Sequence, residues 1–388
     1  MIQIPPHIKK LAEPPIMRVK EWKKLLSTAG RDIIDLGQAV PSYPPPPAVI
    51  RQIAFLAGEP GSYFYSPDQG IEEVLKTVAD FYEQSYDASV SKENIILTAG
   101  ANNAFSSMVW SLFTRGDEIL VPEPYYFNHV MMLEASGCIP RFVPAGESEG
   151  FHPSIERMEK AINEKTRALV LVTPHNPTGF TAPSGYLEHL YAWSVKRNLF
   201  LILDETYQDF SSEPGTASFL LRKPGWEENL IHLYTFSKSL SLSGMRVGIL
   251  MAGPRVIKEV LKIHDCNLIC APVLAQKAVA FGLRHEIPWL DEKVRDMKNR
   301  IESFILEFKA VRQGFSLVCY GAFFAYIRHH FPFSSWKVAE SLAKRENILC
   351  VPGEAFGINQ GNYLRFALGN VEKSCFGDLM LRLNRFTP

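Results

Sequence analysis

The stretch "LFLILDETY", residues 199–207, sets an apolar run directly against two acids and a phenol. Residues 199–203 show no polar alternation, which predicts a strand buried on both faces, as in a parallel sheet covered by helices. A buried carboxylate is costly unless a cation compensates it, so we expect Asp204 to meet a cationic partner. The stretch therefore predicts α/β layering with polar groups gathered where the strand ends.

Further apolar runs repeat this pattern along the chain. The additional predicted strands are "NIILTAG" (94–100), "DEILVPEP" (117–124), "RALVLVTP" (167–174), "LIHLYTFS" (230–237) and "RVGILMAG" (246–253). Segments between them, such as "ANNAFSSMVWSLFTR" (101–115), have the length and periodicity of helices. Strands and helices in alternation predict a largely parallel sheet with helices on its faces.

The last hundred residues have a different character. A long charged helix is expected from about Leu290 to Lys309, followed by the strand-rich "FSLVCYGAFFAYIRHH" (315–330). This pattern predicts a separate α+β lobe, completed by the N-terminal segment. The prolines of "PSYPPPP" (41–47) impose an extended backbone, so this segment is expected to be a strap between two bodies.

Composition restricts the classes of partner. The 388 residues are 46% hydrophobic, and 41 basic side chains balance 41 acidic ones. A formal net charge of zero gives no support for a nucleic-acid or membrane-surface partner, so small molecules are the expected ligands. The chain begins without the apolar core of a signal peptide and has no run long enough to span a bilayer, and its six cysteines contain no C-x-x-C pair. We therefore expect a cytoplasmic protein with no metal site.

The ends of the predicted strands carry polar groups. Ligands of open α/β sheets lie at the carboxyl ends of the strands. In "TPHNPTGF" (173–180), a proline-glycine turn can direct the amide of Asn176 and can contain a cis peptide. In "AGANNAF" (99–105), residues 100–102 are expected to open a helix whose backbone N–H groups favour an anion.

A further strand end, "TFSKSLSLSGMRVG" (235–248), holds a lysine among hydroxyl residues. Lys238 is followed by Arg246 eight positions later. Together the strand ends supply an amine, an anion site, a carboxylate, a phenol and an amide. Pyridoxal phosphate requires this set: a lysine for its aldehyde, a carboxylate for its ring nitrogen, and hydroxyls, N–H groups and an arginine for its phosphate.

On these motifs the chain resembles the class I/II aminotransferase family of fold-type-I pyridoxal-phosphate-dependent enzymes. The resemblance extends from Gly37 to "NYLRFALGN" (362–370). It implies a large pyridoxal-phosphate-binding domain, residues 46–288, with a mostly parallel seven-stranded sheet between helices. It also implies a smaller α+β domain formed by residues 1–45 and 289–388.

The resemblance implies roles around the cofactor ring. Lys238 would be the Schiff-base lysine and Asp204 the partner of the pyridine nitrogen. Tyr207 and Asn176 would share the phenolic oxygen of the ring. Tyr126 falls where an aromatic side chain stacks on the cofactor, and the adjacent Tyr125 is a weaker candidate.

The resemblance also assigns the phosphate site. The implied ligands are Gly100, Ala101, Asn102, Thr235, Ser237 and Arg246. Thr235 stands where the family more often has serine, and it keeps the hydroxyl. Tyr65 in "YSPDQG" would reach the phosphate of the neighbouring subunit, which implies a homodimer with shared active sites.

Substrate binding is implied for three residues. Arg365 would bind the substrate α-carboxylate, a task suited to a planar guanidinium, with Gly37 and Asn176 beside it. The strap departs from the family pattern, with Ser42 where an acid is common and Tyr43 as the aromatic residue. It could therefore face an atypical substrate.

Other polar residues near these motifs are expected to be structural. His129, His175 and His232 have no nucleophile as a sequence partner. Glu205 is expected to be a structural neighbour of Asp204.

The expected reaction is transfer of the amino group of an L-amino acid to a 2-oxo acid. The alternative is a lyase or cyclase that eliminates from the β or γ carbon of a substituted amino acid, such as a hydroxylated arginine, without an acceptor. A third class is a non-catalytic pyridoxal-phosphate domain of a transcription regulator. Such proteins carry an added DNA-binding segment, and here the predicted fold begins within about thirty residues.

Overall fold

The computed structural model describes residues 3–211 and 218–388. The helices of this part of the chain are α1 (Pro6–Lys10), α2 (Pro15–Thr28), α3 (Pro47–Leu56), α4 (Glu72–Tyr86), α5 (Ala101–Leu112), α6 (Phe127–Ser136), α7 (Ile155–Ala161), α8 (Ser184–Lys196), α9 (Phe236–Ser239), α10 (Pro254–Asn267), α11 (Val273–His285), α12 (Ile287–Phe308), α13 (Ser335–Glu346) and α14 (Phe376–Arg385). The long helix α12 confirms the charged helix expected from about residue 290. Among the described helices, none is long and apolar enough to cross a membrane.

The strands within residues 3–211 and 218–388 form three sheets. They are β1 (Ile34–Asp35), β2 (Ile95–Thr98), β3 (Glu118–Glu123), β4 (Ile139–Pro144), β5 (Thr166–Val172), β6 (Phe200–Asp204), β7 (Leu230–Thr235), β8 (Gly248–Met251), β9 (Phe315–Gly321), β10 (Phe324–His329), β11 (Ile348–Leu349), β12 (Val351–Pro352) and β13 (Tyr363–Ala367). The large sheet has seven strands in the order β2-β8-β7-β6-β5-β3-β4, and a four-stranded sheet has the order β12-β13-β10-β9. The third is a parallel pair of β1 with β11.

The seven-stranded sheet is mostly parallel, as predicted. Strand β8 alone runs antiparallel to its neighbours β2 and β7 in this sheet. The edge strand β4 was not among the strands recognised in the sequence. Most of its side chains are exposed or half-buried, so it lacks the continuous apolar pattern of the central strands.

Both faces of this sheet are covered. On β5, Leu169 and Leu171 belong to one apolar cluster, and Ala168 and Val170 belong to the cluster on the opposite face. Alternate side chains of a strand point to opposite faces, so a strand buried on both must be apolar throughout. This burial leaves the strand ends as the place for polar groups.

A separate apolar cluster joins the two ends of the chain. Val19 and Trp22 of α2 and Leu36 after β1 pack with residues of β10, β13 and α13. β1 also pairs with β11, with Ile34 opposite Ile348. This packing supports our proposal that residues 1–45 and 289–388 form one domain, and 46–288 the other.

Two glycines bring the sheets together beside the polar strand ends. A Cβ atom on Gly321, at the end of β9, would lie 2.2 Å from the carbonyl oxygen of Gly179. Both glycines have positive φ, +79° at Gly179 and +151° at Gly321, which disfavours other residues. Gly179 closes the turn that carries Asn176, so this contact sets how closely that turn approaches the four-stranded sheet.

We expect Gly321→Ala to lower the free energy of unfolding by about 2 kcal/mol or more, because the added methyl group combines overpacking with backbone strain. Denaturant titration measures the change. The matched control is Gly361→Ala, since Gly361 has φ of −62° and an open environment for a Cβ atom. Equal unfolding midpoints for the two variants would contradict the close contact.

Candidate active site

The carboxyl ends of the central strands surround an open cavity. Its volume is about 620 Å³ when the solvent space at its opening is included. It is lined by Ala101, Asn102, Tyr126, Val172, Asn176, Asp204, Thr206, Tyr207, Thr235, Ser237, Lys238 and Arg246. Most of the residues selected from the sequence thus meet in one place. The sheet order explains this, because β5, β6 and β7 are parallel neighbours whose carboxyl ends share an edge.

Lys238 lies on the short helix α9, directly after β7. Its Nζ donates a hydrogen bond of 2.6 Å to the carbonyl oxygen of Ala39, two residues before the strap. Burial, followed by the positive charges of Arg246 and Arg365, lowers the pKa of Lys238 to about 8, against the opposing effect of Asp204. An amine with this pKa is partly neutral near pH 7, and the neutral form is the one that attacks a carbonyl group.

Asp204 ends β6 and is buried with two hydrogen-bonding neighbours. His129 Nε2 lies 3.1 Å from Oδ2, and the hydroxyl of Thr206 donates to Oδ1 at 2.6 Å. Burial acts to raise the pKa of Asp204, but the hydrogen bond and charge of His129, with the bonds from Thr206, lower it below its ordinary value. The carboxyl group is therefore ionised at neutral pH although it is buried.

His129 was expected to be structural, and its contact with Asp204 was not predicted from the sequence. It lies against Asp204 and stacks on Phe105 at 4.2 Å between ring centroids. His129 is on α6 and Asp204 is on β6, so no sequence spacing connects them. The expectation that Asp204 needs a cationic partner was the signal that could have directed a search for His129.

Two tyrosines line the cavity. Burial raises the pKa of Tyr207 well above its ordinary value and also raises that of Tyr126, so both phenols keep their protons at neutral pH. Tyr126 also accepts a hydrogen bond of 2.8 Å from Asn128 Nδ2. Tyr125 stacks on Phe142 at 5.0 Å instead, outside the cavity.

The opposite end of the cavity is suited to an anion. Helix α5 begins at Ala101, as expected, so its first N–H groups have no partners within the helix. Gly100 precedes it with φ of +85°, and a Cβ atom there would lie 2.6 Å from Nη2 of Arg246. The positive φ favours glycine at this position, and the absence of a Cβ atom leaves room for the Arg246 guanidinium at the start of α5.

Hydroxyl groups complete this end. Thr235 Oγ1 donates to the carbonyl oxygen of Val247 at 2.9 Å and lies 2.9 Å from Ser237 Oγ. Arg246 donates to the carbonyl oxygen of Ala99 at 3.0 Å. The guanidinium, the hydroxyls and the helix N-terminus together form a polar site with a positive charge.

Arg365 lies beside the cavity and is only 3% exposed. Its Nη1 donates to Asn176 Oδ1 at 2.8 Å, and its Nη2 donates to the carbonyl oxygen of Gly37. The guanidinium lies 5.2 Å from the ring centroids of both Phe324 and Phe356. Burial lowers its pKa to about 10, so Arg365 is still a cation at neutral pH.

One nitrogen of this guanidinium lacks a partner among the residues that the structure describes. Arg365 Nε is buried without a hydrogen bond within the described part of the chain. A buried N–H of a charged group that lacks an acceptor is costly. A carboxylate ligand would supply the missing acceptor.

Other residues selected from the sequence lie elsewhere. Tyr65 is 79% exposed and does not line this cavity. In the strap, Ser42 Oγ donates to Glu372 Oε1 at 2.6 Å and accepts from Arg300, so its side chain is held by α12 and the C-terminal segment. Tyr43 packs edge-on against Trp289.

The two other histidines, which were also expected to be structural, bond residues other than Asp204. His175 bonds Thr178 Oγ1 at 2.9 Å and the carbonyl oxygen of Pro124 at 3.0 Å. His232 Nδ1 lies 2.9 Å from Glu205 Oε2, outside the cavity. The cis peptide of the turn segment 173–180 lies between Thr173 and Pro174.

Comparison with known proteins places this geometry in a family. The sequence profile of "Aminotransferase class I and II" matches residues 31–374. A probable aspartate aminotransferase of Methanocaldococcus jannaschii is 29% identical over 353 residues, which cover 89% of this chain and 91% of that protein. Aromatic-amino-acid aminotransferase 2 of Thermococcus litoralis is 29% identical over 355 residues, covering 89% and 90%.

Solved structures show the same fold. A single mutant of the Thermus thermophilus aspartate aminotransferase has a TM-score of 0.91 at 23% identity, over 99% of this chain and 100% of that chain. The Thermotoga maritima aspartate aminotransferase has a TM-score of 0.88 at 26% identity, over 98% and 99%. These likenesses confirm the fold-type-I α/β class expected from the sequence. Because the family profile covers most of its length, this chain belongs to the class I and II aminotransferase family.

Proposed function

We propose that this aminotransferase moves the amino group of an L-amino acid to a 2-oxo acid by means of pyridoxal phosphate bound covalently to Lys238. The observation that carries the proposal is the buried amine of Lys238, whose pKa is lowered to about 8, in one cavity with the ionised carboxylate of Asp204. Lys238 has no ion-pair partner among the described residues, and few structural roles require a buried lysine amine of this kind.

The residues around the cavity fit the cofactor. Arg246, Thr235, Ser237 and the start of α5 offer a positive charge, hydroxyls and N–H groups for a phosphate. Asp204 offers a carboxylate for a protonated ring nitrogen. Tyr126 offers an aromatic ring for stacking, and Asn176 and Tyr207 offer polar groups for the phenolic oxygen.

When bound, pyridoxal phosphate supplies an aldehyde that carries the amino group and a ring that accepts the electrons released at the substrate α carbon. The protein supplies the acid-base chemistry. Lys238 takes the α proton and returns it, a task favoured by a pKa near the working pH. Asp204 remains ionised because His129 and Thr206 bond its oxygens, so it can hold a proton on the ring nitrogen.

Arg365 provides the site for the substrate carboxylate. Its guanidinium is fixed between two phenyl rings and by Asn176, so it loses little side-chain freedom when a ligand binds. The unpartnered Nε gives it an unused donor. Amino acids and 2-oxo acids share the carboxylate, so one arginine can serve both substrates.

We further propose that two copies of the chain form the active unit. Tyr63, Phe64 and Tyr65 are consecutive and each at least 70% exposed, and such an aromatic surface favours association. Tyr65 does not line the cavity of its own chain, which leaves it available to the cavity of a second copy.

We also propose that the protein resides in the cytoplasm, which is a reducing compartment. All six cysteines are free thiols in the structure, and Cys138 and Cys350 are buried. Thiols of this kind persist where the surroundings keep them reduced.

The reaction can be tested with a donor amino acid and no 2-oxo acid. We expect about one equivalent of new 2-oxo acid per site, after which release stops until an acceptor is added, because the cofactor holds the amino group. Mass analysis of products from acidic, aromatic, basic and hydroxylated donors measures this. Lys238→Ala should release none, and Lys262→Ala, on the exposed face of α10, is its control. Continued turnover without acceptor, giving cleaved or ring-closed products, would show a lyase or cyclase instead.

The lowered pKa of Lys238 can be tested on the apoenzyme. We expect the rate of covalent capture of pyridoxal phosphate to rise with pH and to have its midpoint near 8, because the neutral amine is the nucleophile. Visible absorbance follows the capture. Arg365→Met should move the midpoint upward, since it removes a neighbouring cation. A midpoint at the ordinary lysine value of about 10.4 would contradict the buried, cation-flanked amine.

Shared sites can be tested by mixing inactive chains. Tyr65→Phe and Lys238→Ala chains, unfolded and refolded together, should form hybrids in which Lys238 of one chain and Tyr65 of the other complete one site. Specific activity should then exceed the sum of the two separate variants. Tyr63→Phe is the matched control and should stay active, because the Tyr63 hydroxyl bonds the Ala57 carbonyl of its own chain. Strictly additive activity after mixing would argue for sites within one chain.

A further inference from the structure

Next to the candidate site lies a buried group of polar side chains that the proposed reaction does not use. We call it the polar cluster. It consists of Tyr82, Tyr86, Glu205, Gln208, Asp209, Ser218, His232, Tyr234 and Ser239. None of these side chains lines the cavity.

One part of the cluster connects α4 with β7 and the residues after β6. His232 bonds Tyr82 OH at 3.0 Å and Glu205 at 2.9 Å. Gln208 Nε2 donates to the same phenol at 3.0 Å. This part compensates the buried carboxylate of Glu205, and among the described residues it makes no hydrogen bond to the lysine-bearing helix α9.

The other part does reach α9. Tyr234 OH lies 2.7 Å from Asp209 Oδ2 and 2.6 Å from Ser239 Oγ. A phenol has one proton, which the carboxylate accepts, so the contact with Ser239 is completed by the proton of the serine. The result is an ordered chain of hydrogen bonds from Ser239 through Tyr234 to Asp209.

This chain of hydrogen bonds joins the two segments that carry the proposed catalytic residues. Asp209 follows Tyr207 by two residues in the segment that starts at Asp204, and Ser239 follows Lys238 directly. Helix α9 has four residues, too few to be rigid on its own. Its position must therefore come from contacts such as the one made by Ser239.

We propose that Ser239, Tyr234 and Asp209 are positioning residues, which hold Lys238 at a fixed place relative to Asp204 and Tyr207. The inference rests on the proposed function, since it assigns these residues to the placement of the reacting amine. None of the three touches the cavity, so they act through Lys238 and the segment after β6.

The burial of Asp209 supports a role beyond packing. Burial raises the pKa of Asp209 to about 6, and the hydrogen bond from Tyr234 opposes this effect. No cation pairs with this carboxylate in the described salt bridges, and Glu205 adds a second negative charge nearby. A buried carboxyl in such surroundings reduces stability at neutral pH, and an apolar side chain would not.

The test compares two tyrosines of the same cluster. Tyr82 and Tyr234 are both fully buried, at 0% and 1% exposure, and Tyr→Phe removes one hydroxyl from each. Tyr234→Phe should lower kcat about tenfold at an unchanged KM, because Lys238 shifts while Arg365 does not. It should also slow capture of pyridoxal phosphate by the apoenzyme. Tyr82→Phe should change both rates less than about twofold, although both variants melt earlier.

Ser239→Ala provides a second variant with a minimal change of volume. It should show a similar loss to Tyr234→Phe, and the double variant should lose little more, because Tyr234→Phe already breaks the bond that Ser239→Ala removes. Asp209→Asn keeps an acceptor for the Tyr234 hydroxyl, so it should recover most of the kcat that Asp209→Ala loses.

Unchanged kcat and capture rate in both Tyr234→Phe and Ser239→Ala would overturn the inference. An equal loss in Tyr82→Phe would also overturn it, since the cluster would then act only through packing. A different result would show that the proposed function is wrong: Lys238→Ala would still capture pyridoxal phosphate covalently, whatever the result at Tyr234.

Discussion

The constraint on which the rest of the site depends is the burial of the ionised Asp204. The strand β6 that delivers it is covered on both faces and Asp204 is only 3% exposed, so little water can solvate the carboxylate. His129 and Thr206 replace the water with hydrogen bonds to its two oxygens. Because His129 comes from α6, the helix and the strand must both be in place before the charge is tolerated. The cost of an unpaired carboxylate thereby makes the geometry of the site part of the requirement for folding.

Positive charge is distributed around this carboxylate from three separate elements. Lys238 follows β7, Arg246 precedes β8, and Arg365 belongs to β13 of the four-stranded sheet. The two arginines and burial act together to lower the pKa of the lysine. In the described part of the chain, Asp204 is the carboxylate that opposes the effect of these cations on Lys238, and the Nε of Arg365 has no hydrogen-bond partner there. An anionic ligand would therefore meet a site whose charges and donors are already arranged, so its binding would need little reorganisation free energy.

Much of the fold and most of the site could be predicted from the sequence, because the signals were local. Unbroken apolar runs indicated central strands such as β5 and β6, and polar residues at their ends indicated the ligand edge. The edge strand β4 lacked this pattern because only one of its side chains is fully buried. The antiparallel direction of β8 could not be predicted from its residues either, because a strand covered on both faces is apolar in either direction. His129 could not be assigned because its role depends on the distance to a residue 75 positions away along the chain.

The sequence by itself determined the chemical inventory and its order: a lysine followed by an arginine on the β7–β8 connection, a carboxylate and phenol after β6, and a helix start after β2. These are local relations between a strand and the residues that follow it. Only the tertiary structure decided which groups share an environment. It set His129 against Asp204, linked Tyr234 to Ser239 and Asp209, and brought the glycines at 179 and 321 into contact so that Arg365 meets Asn176. Such pairings depend on sheet order and close packing, and neither can be derived from the spacing of residues along the chain.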